Sequence, residues 1–343
     1  MTSDEGTRGL RALVLAAGLG TRLRPLTLAR AKAAAPVDGE PLARRTISWL
    51  VGHGVRDLVL NLHHKPESIT AAVGDGADLG ARVRYSWESP VLGSAGGPRH
   101  ALPLLLDPPS PPSGFGGTSG DDSLSRRSRS AAKAETFVLV NGDTLTDVDL
   151  PAMVAQHRRT GALVTMALIA NPRPDKYGGV LLDGDQVVTG FTRRGNPEPS
   201  FHFIGPQVAE AEVFMSLEDG VPAESVLGIY PLLMAGRAGS VRGFVSDARF
   251  QDIGTPADLL QTSLDLAAAD GRVDRPRWGR RVHLAPGARV TRSVLWDDVT
   301  IGAGAVLTEC VVADGVHIPD GAVMTRCAIV RGPRDLEIVK LNR

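Results

Sequence analysis

LAAGLGTRLRPLTLARAKAAAPV, residues 15–37, follows directly on an apolar run and places Gly18-x-Gly20 at its end. A dinucleotide-binding turn would continue to a third glycine and open a long helix. Here Leu23 stands in that glycine's place, and Pro25 interrupts any helix begun at Gly20. No G-x-x-x-x-G-K phosphate loop is present either. What remains is a backbone bare of side chains at two positions, able to bring N–H groups close to phosphate. Arg22, Arg24 and Lys32 follow it. A guanidinium fork suits paired phosphate oxygens, and an ammonium adds a point charge. Glycines and cations in this order predict a cradle for a triphosphate.

Composition narrows the rest. In 343 residues, Lys+Arg and Asp+Glu both number 38, which argues against a general nucleic-acid or membrane surface but leaves room for a local basic pocket. No apolar run approaches the roughly 18 residues of a transmembrane helix. The apolar stretch near the N-terminus is too short and too glycine-interrupted for a secretory signal. Two cysteines make no disulfide framework. A soluble cytoplasmic protein with an Ala/Val/Leu core is expected.

Strands are predicted at 11–16, 58–62, 82–86 and 136–140, and helices at 41–53, 66–73 and 95–106, with Pro103 a late kink or stop. Beyond Asp143 the pattern is mixed. Strands are expected at 163–170, 179–182, 186–191 and 201–204, and helices at 207–217, 224–235 and 256–269. The fold class that follows is α/β: a Rossmann-like, mixed, mainly parallel sheet with helices on both faces. Residues 107–134 are rich in Pro, Gly, Ser and charge, and predict a disordered surface insertion. A partner-binding loop with Arg126, Arg127 and Arg129 at its tip is the alternative.

The C-terminal part repeats with a period of 17. Val282, Val299 and Val316 open three units; Gly287, Gly304 and Gly321 share position six; Thr291, Thr308 and Thr325 share position ten. Small apolar residues recur about every six positions within each unit, the pattern of hexapeptide coils stacked as a parallel β-helix. It resembles the left-handed β-helix domain, with one side of each coil a residue short. Cys310 and Cys327 share position twelve and are expected to stack in the core, although stacked coils about 4.8 Å apart leave a disulfide open. His283 and His317 are expected to be solvated corner residues, and His63 and His64 loop residues.

The motif LAAGLGTRLRPLT…K…PV resembles the signature of the sugar-1-phosphate nucleotidylyltransferases, over roughly residues 10–270. Members commonly carry a C-terminal left-handed β-helix, and mannose-1-phosphate guanylyltransferases are among them. The resemblance implies the reaction of a nucleoside triphosphate with a sugar 1-phosphate to give a nucleotide sugar and pyrophosphate. It implies a catalytic domain over 1–272, a β-helix over 279–335, and a homo-oligomer.

The resemblance also implies site residues. Arg22 and Lys32 would be catalytic, and Leu15, Ala17, Gly18, Gly20 and Thr21 would line the nucleotide. Glu88 and Gly93 would face the base. Asp143 and Asp252 would hold Mg²⁺, while Asp147 and Asp149 are expected to be a turn residue and a helix N-cap. Gly179, Arg194 and Gly205 would meet the sugar phosphate. Five positions depart from the family pattern: Ala31 replaces the proline before the lysine, Glu40 replaces a common lysine outside the chemistry, Arg193 and Arg194 replace a Glu-Lys pair, and Phe203 replaces an asparagine. GTP with mannose 1-phosphate is the favoured pair; UTP or dTTP with another hexose or amino-sugar 1-phosphate is the alternative. A non-catalytic nucleotide-sugar-binding homologue and a nicotinamide oxidoreductase are further alternatives, the first disfavoured by the retained Arg22, Lys32, Asp143 and Asp252, the second by the broken glycine pattern.

Overall fold

A computed structural model describes residues 6–106 and 135–341; the expected insertion at 107–134 lies outside the described residues. The first strand, β1 (Arg11–Leu15), is apolar from Ala12 onward because both its faces are covered. Ala12 and Val14 join a cluster with Ile47 and Leu50 of α1 (Leu42–Gly52) and Ile69 and Val73 of α2 (Pro66–Val73). Leu13 points the other way, to Leu102 and Leu105 of α3 (Gly93–Leu106). Pro103, expected to kink or stop this helix, lies inside it, as does Pro98.

The next large-sheet strands are β2 (Asp57–Leu62), β3 (Arg82–Trp87) and β4 (Thr136–Asn141). A short β5 (Thr144–Thr146) stands apart, and α4 (Leu150–Thr160) is N-capped by Asp149, which accepts from Ala152 N. Then come β6 (Val164–Ala170), β7 (Gly179–Leu182), β8 (Val188–Thr192) and β9 (Phe201–Glu210). The nine-stranded sheet runs β8-β7-β9-β4-β1-β2-β3, with β6 on β9 and a further strand, β10 (Val241–Val245), on β6. The β4-β1-β2-β3 half is parallel, and β9 runs against both β4 and β6.

The expected helix at 207–217 is overturned. β9 continues to Glu210, and only Glu212–Met215, α5, is helical. Residues 207–210 pair with β4 on one side, and 207–209 with β6 on the other. Val208 and Ala209 face opposite cores. Two flanking strands override a local pattern that reads equally well as helical. The expected helix at 224–235 begins as a wide π-turn over Ser225–Ile229 and becomes α6 (Tyr230–Gly236). A short β11 (Phe250–Asp252) pairs with β5, and α7 (Pro256–Ala269) opens on a Thr255/Asp258 capping box.

The C-terminal coils stack in parallel with a register of 17, as His283↔Thr300↔His317 illustrates. Corners fall at residues with positive φ: Gly287, Arg292 and Asp298 in the first coil, then Gly304. The step from 287 to 292 is five residues and the next two are six, which locates the short side of the prism. His283 and His317 are exposed, and Cys310 and Cys327 are buried free thiols. Burial pushes the Cys310 thiol up to about 11. Leu336–Lys340 adds an antiparallel strand to the third face. Among the described residues, no helix is long and apolar enough to cross a membrane.

One face of the prism is apolar on both sides. Leu295, Val312 and Ile329 point into it, while Val294, Trp296, Val311, Ala313, Ala328 and Val330 point out. The outward row packs on Leu23 and Leu26 of the opening loop and Leu259, Leu260 and Leu264 of α7. Trp296 is fully buried there. At the edge of this contact Arg30 bonds Asp297 and Asp314. Burial alone would raise the Asp297 carboxyl, but the Arg280 backbone N–H and the Arg30 guanidinium outweigh it and hold it below the usual range. A depressed folded value stabilises above the unfolded carboxylate value and is lost as pH falls through the folded one. The docked β-helix is therefore expected to hold between about pH 5 and 8 and to loosen only below about pH 4. Trp296 emission, with the other three tryptophans replaced by Phe, should shift to the red below that pH.

Candidate active site

The parallel strands end together, and their carboxyl ends form the crevice where ligands of open α/β sheets bind. Past β1, Ala16 and Ala17 donate their N–H groups to Asn61 Oδ1, at 2.5 and 3.2 Å. Asn61, near the end of β2, donates from Nδ2 to Glu88 Oε1 at 2.6 Å. Leu92 N donates to Glu88 Oε2 at 2.8 Å. Asn61 and Glu88 are almost wholly buried, and the pair ties the loops after β1 and β3 to the end of β2. A Cβ at Gly97 would lie 2.5 Å from Glu88 Oε1, so α3 approaches this pair only because glycine stands there. Glu88 thus lines the pocket with both oxygens already accepting from protein donors. His63 and His64, in the loop after β2, bond to the Glu88 and Thr27 carbonyls.

The opening loop makes tight turns over Thr21–Leu23 and Leu26–Leu28, divided by Pro25. Gly20 has φ +59, and a Cβ there would meet Thr27 Cγ2 at 2.8 Å and Lys32 Cβ at 3.1 Å. The glycine lets the loop fold back onto its own lysine. Lys32 Nζ then reaches Asp143 Oδ2 at 2.7 Å. Asp143 is presented by Gly142, whose N–H donates to Leu15 O at 3.0 Å.

Asp252 is brought alongside by the β5–β11 ribbon, which pairs Thr144 with Asp252. Ile253 N donates to Asp143 O at 3.4 Å. A Cβ at Gly254 would lie 3.0 Å from Arg22 Nη1 and 3.3 Å from Asp252 Oδ2, so Arg22 and Asp252 flank the same small residue. Cations and carboxylates separated widely in sequence therefore meet at one rim. Among the described residues no cluster of three or more His, Cys, Asp and Glu gathers as a metal site. The donor set is two carboxylates, all hard oxygen. That fits Mg²⁺, which keeps several waters and completes its shell with substrate phosphates.

A cavity of about 280 Å³ lies between these elements. It is lined by the expected Leu15, Ala17, Gly18, Lys32, Glu88, Gly93 and Asp143, and by Asn61 and Asn141, which the sequence reading did not single out. Gly20, Thr21, Arg22 and Asp252 lie outside the lining, on the loop and rim. Gly93 has φ +77, and a Cβ there would strike Ala223 O at 2.7 Å. Gly205, at φ +107 within an irregularity of β9, sits against Asn141.

Gly179 and Arg194 are not part of the lining. Gly179 is buried in its hairpin, where its N–H donates to Thr192 Oγ1 at 3.1 Å. Arg193 and Arg194 are exposed on the turn after β8. The cation that does reach this side is Lys176, 3.7 Å from both Asp252 Oδ2 and Asp258 Oδ1. Burial works against its charge, and Tyr177, Asp258 and Asp252 outweigh that and hold it above the ordinary lysine range. Next to it Tyr177 stacks on His202, with ring centroids 4.1 Å apart. Burial lowers the His202 imidazole. Only the neighbouring YGG stretch signals Lys176 in the sequence, because its partners lie on a distant ribbon and helix.

Residues 11–269 match the family model described as nucleotidyl transferase, and residues 261–326 match the GlmU-like C-terminal hexapeptide model, a left-handed β-helix. The mannose-1-phosphate guanylyltransferase of Mycobacterium tuberculosis is 28% identical over 321 residues, covering 86% of this chain and 82% of that protein. The N-acetylmuramate alpha-1-phosphate uridylyltransferase of Neisseria meningitidis is 31% identical over 256 residues, 74% of this chain and 96% of that one. Among solved structures, HddC from Yersinia pseudotuberculosis, in complex with GMP-PN, superposes with a TM-score of 0.58 at 20% identity, covering 74% of this chain and 97% of that one. At that identity the likeness speaks for the fold.

Proposed function

The chain belongs to the nucleotidyl transferase family and is a sugar-1-phosphate nucleotidylyltransferase; from that premise we propose that it makes GDP-mannose and pyrophosphate from GTP and mannose 1-phosphate. The choice of base and sugar is supported by the length of the match to the mycobacterial guanylyltransferase. The catalytic reading rests on one observation above all, the 2.7 Å contact of Lys32 with Asp143 at the pocket floor.

An oxygen of the sugar phosphate attacks the α-phosphorus of the triphosphate. The new O–P bond forms as the bond to the β-phosphate oxygen breaks, and pyrophosphate leaves with the electron pair. Such a transfer needs alignment and charge neutralisation more than covalent help from protein. Backbone from Ala17 to Thr21 lies against the phosphates. Lys32 neutralises charge on the transferred group, and Arg22 receives the departing phosphates. Asp143 and Asp252 would hold Mg²⁺, which when bound supplies further charge neutralisation across the phosphates. Glu88 keeps the base wall in place through Asn61 and Leu92.

For the sugar phosphate we assign Lys176 the larger role. It sits over the site beside Asp252, whereas Arg194 stands on an exposed turn. Lys176→Ala is expected to raise KM for the sugar 1-phosphate about tenfold, and Arg194→Ala to change it less than about twofold, both with KM for the nucleotide unchanged. Initial rates with each substrate varied in turn check this.

Residues 1–272 are proposed to carry the chemistry and 279–335 to support it. Exposed Val323, Ile338 and Val339 on the β-helix favour a homo-oligomer, read by light scattering. We propose that the reaction runs in the cytoplasm, where nucleoside triphosphates are supplied. The deciding experiment is pyrophosphate release with magnesium across each triphosphate and a panel of sugar 1-phosphates. GTP with mannose 1-phosphate should give the highest kcat/KM. A preference for UTP would move the assignment toward the neisserial relative's chemistry, and nucleotide-sugar binding without release for any pair would overturn the catalytic reading.

A further inference from the structure

Arg30 lies two residues before Lys32 and belongs to the same loop, yet among the described residues its side-chain bonds go to the β-helix. Its Nε and Nη2 hold both oxygens of Asp314 at 2.6 Å, and Nη2 also reaches Asp297 at 2.7 Å. Its guanidinium lies 5.7 Å from the Trp296 ring. Asp297 and Asp314 occupy the same position in successive coils, so stacking sets two carboxylates about a strand spacing apart on one face. Two like charges so placed repel, and Arg30 is the cation that joins them. The third coil carries Arg331 at that position, which confines the acidic pair to the two coils facing the loop.

The other end of this short segment is equally fixed. Ala31 is fully buried, and its N–H donates to Ser68 Oγ at 2.9 Å. Lys32 is held on Asp143. Consecutive Cα atoms are about 3.8 Å apart, so the chain from Arg30 to Lys32 has no slack. Leu23 and Leu26, earlier in the loop, pack in the same cluster as Val311 and Ala328 of the β-helix.

We propose that Arg30 is a positioning residue: through Asp297 and Asp314 the β-helix anchors the phosphate loop and sets where Lys32 stands, which makes the C-terminal prism a working part of the active site. The proposal rests on the catalytic reading above. It predicts that cutting the clamp from either side has the same effect. Arg30→Ala and Asp297→Asn/Asp314→Asn should each quicken amide hydrogen exchange across residues 26–35 by about tenfold or more, while exchange in β1 and α7 is kept. Each should lower kcat by about tenfold or more, with KM for the nucleotide changed less than about threefold, because alignment rather than binding is lost.

Combining all three substitutions should lose no more than the worse of the two, since they break one interaction. Arg30→Lys, which keeps a single charge, should recover part of kcat. Asp314→Asn alone is an isosteric change on a partly exposed residue; it tests the clamp should the larger changes unfold the chain, and should quicken exchange in the same segment. Unchanged exchange at 26–35 with unchanged kcat in these folded variants overturns the proposal, as do losses that multiply in the combined variant. Failure of the unaltered chain to release pyrophosphate with any pair would instead sink the catalytic reading, and the exchange measurement would still decide whether the clamp exists.

Discussion

Asp143→Asn is expected to lower kcat by about a thousandfold or more and to leave the fold standing. The expected size follows from several kcal/mol of charge stabilisation at about 1.4 kcal/mol per tenfold. Asp143 is where the pocket's ion pair to Lys32 meets the carboxylate side of the rim. Its second oxygen accepts only a 3.3 Å contact from Thr144 Oγ1. The amide keeps the shape, so β4, Gly142 and the β5–β11 ribbon need not move. Loss of a partly exposed ion pair costs the fold about 0–1 kcal/mol, a shift of a few degrees in Tm at most. Steady-state kinetics beside a thermal melt separates these effects. Turnover within about threefold of the unaltered chain would remove Asp143 from the chemistry.

Lys32→Met is expected to cost about a hundredfold to a thousandfold in kcat, the scale for removing one preorganised charge or donor from a site. Methionine keeps the apolar stem that packs under Gly20, so the loop keeps its turn. The ammonium is lost from a side chain only 13% exposed, where water replaces it poorly. A second consequence distinguishes charge from packing. Without Lys32 the Asp143 carboxylate loses its ion-pair partner, so the apparent magnesium requirement should fall even as kcat does. A titration of rate against magnesium for both proteins reads this. Lower kcat with an unchanged magnesium midpoint would mean that Lys32 acts on the substrate alone.

Much of this site was legible in the order of residues. The glycine-and-cation loop, the two strand-end aspartates and the 17-residue repeat each carry a local signature, because each is imposed by a turn, a strand end or a coil corner. Contacts made between distant segments left no such mark. Asn61 is an ordinary strand residue in the sequence, and only the level at which β1, β2 and β3 end makes it the bridge to Glu88. Lys176 reads as a loop lysine until β11 and α7 bring Asp252 and Asp258 beside it. The helix expected at 207–217 failed because β9 lies between two strands, and both faces of a buried strand are apolar. Arg30 carries no signature of its own in the sequence, because its partners lie in coils at the other end of the chain. Gly179 and Arg194, assigned by resemblance to the sugar phosphate, lie away from the pocket lining, which is why Lys176 takes that place in the proposal.

The central claim is a transfer of the nucleotidyl group itself, through the loop of residues 18–32 and Asp143. It is tested most directly with two samples of the triphosphate, radiolabelled at the α- or at the γ-phosphate, and incubated with sugar 1-phosphate and magnesium. The account predicts that all α-label enters the nucleotide sugar, that all γ-label leaves as pyrophosphate, and that Asp143→Asn abolishes both together. Label from the γ-phosphate on the sugar or on the protein, or transfer that survives Asp143→Asn undiminished, would contradict it.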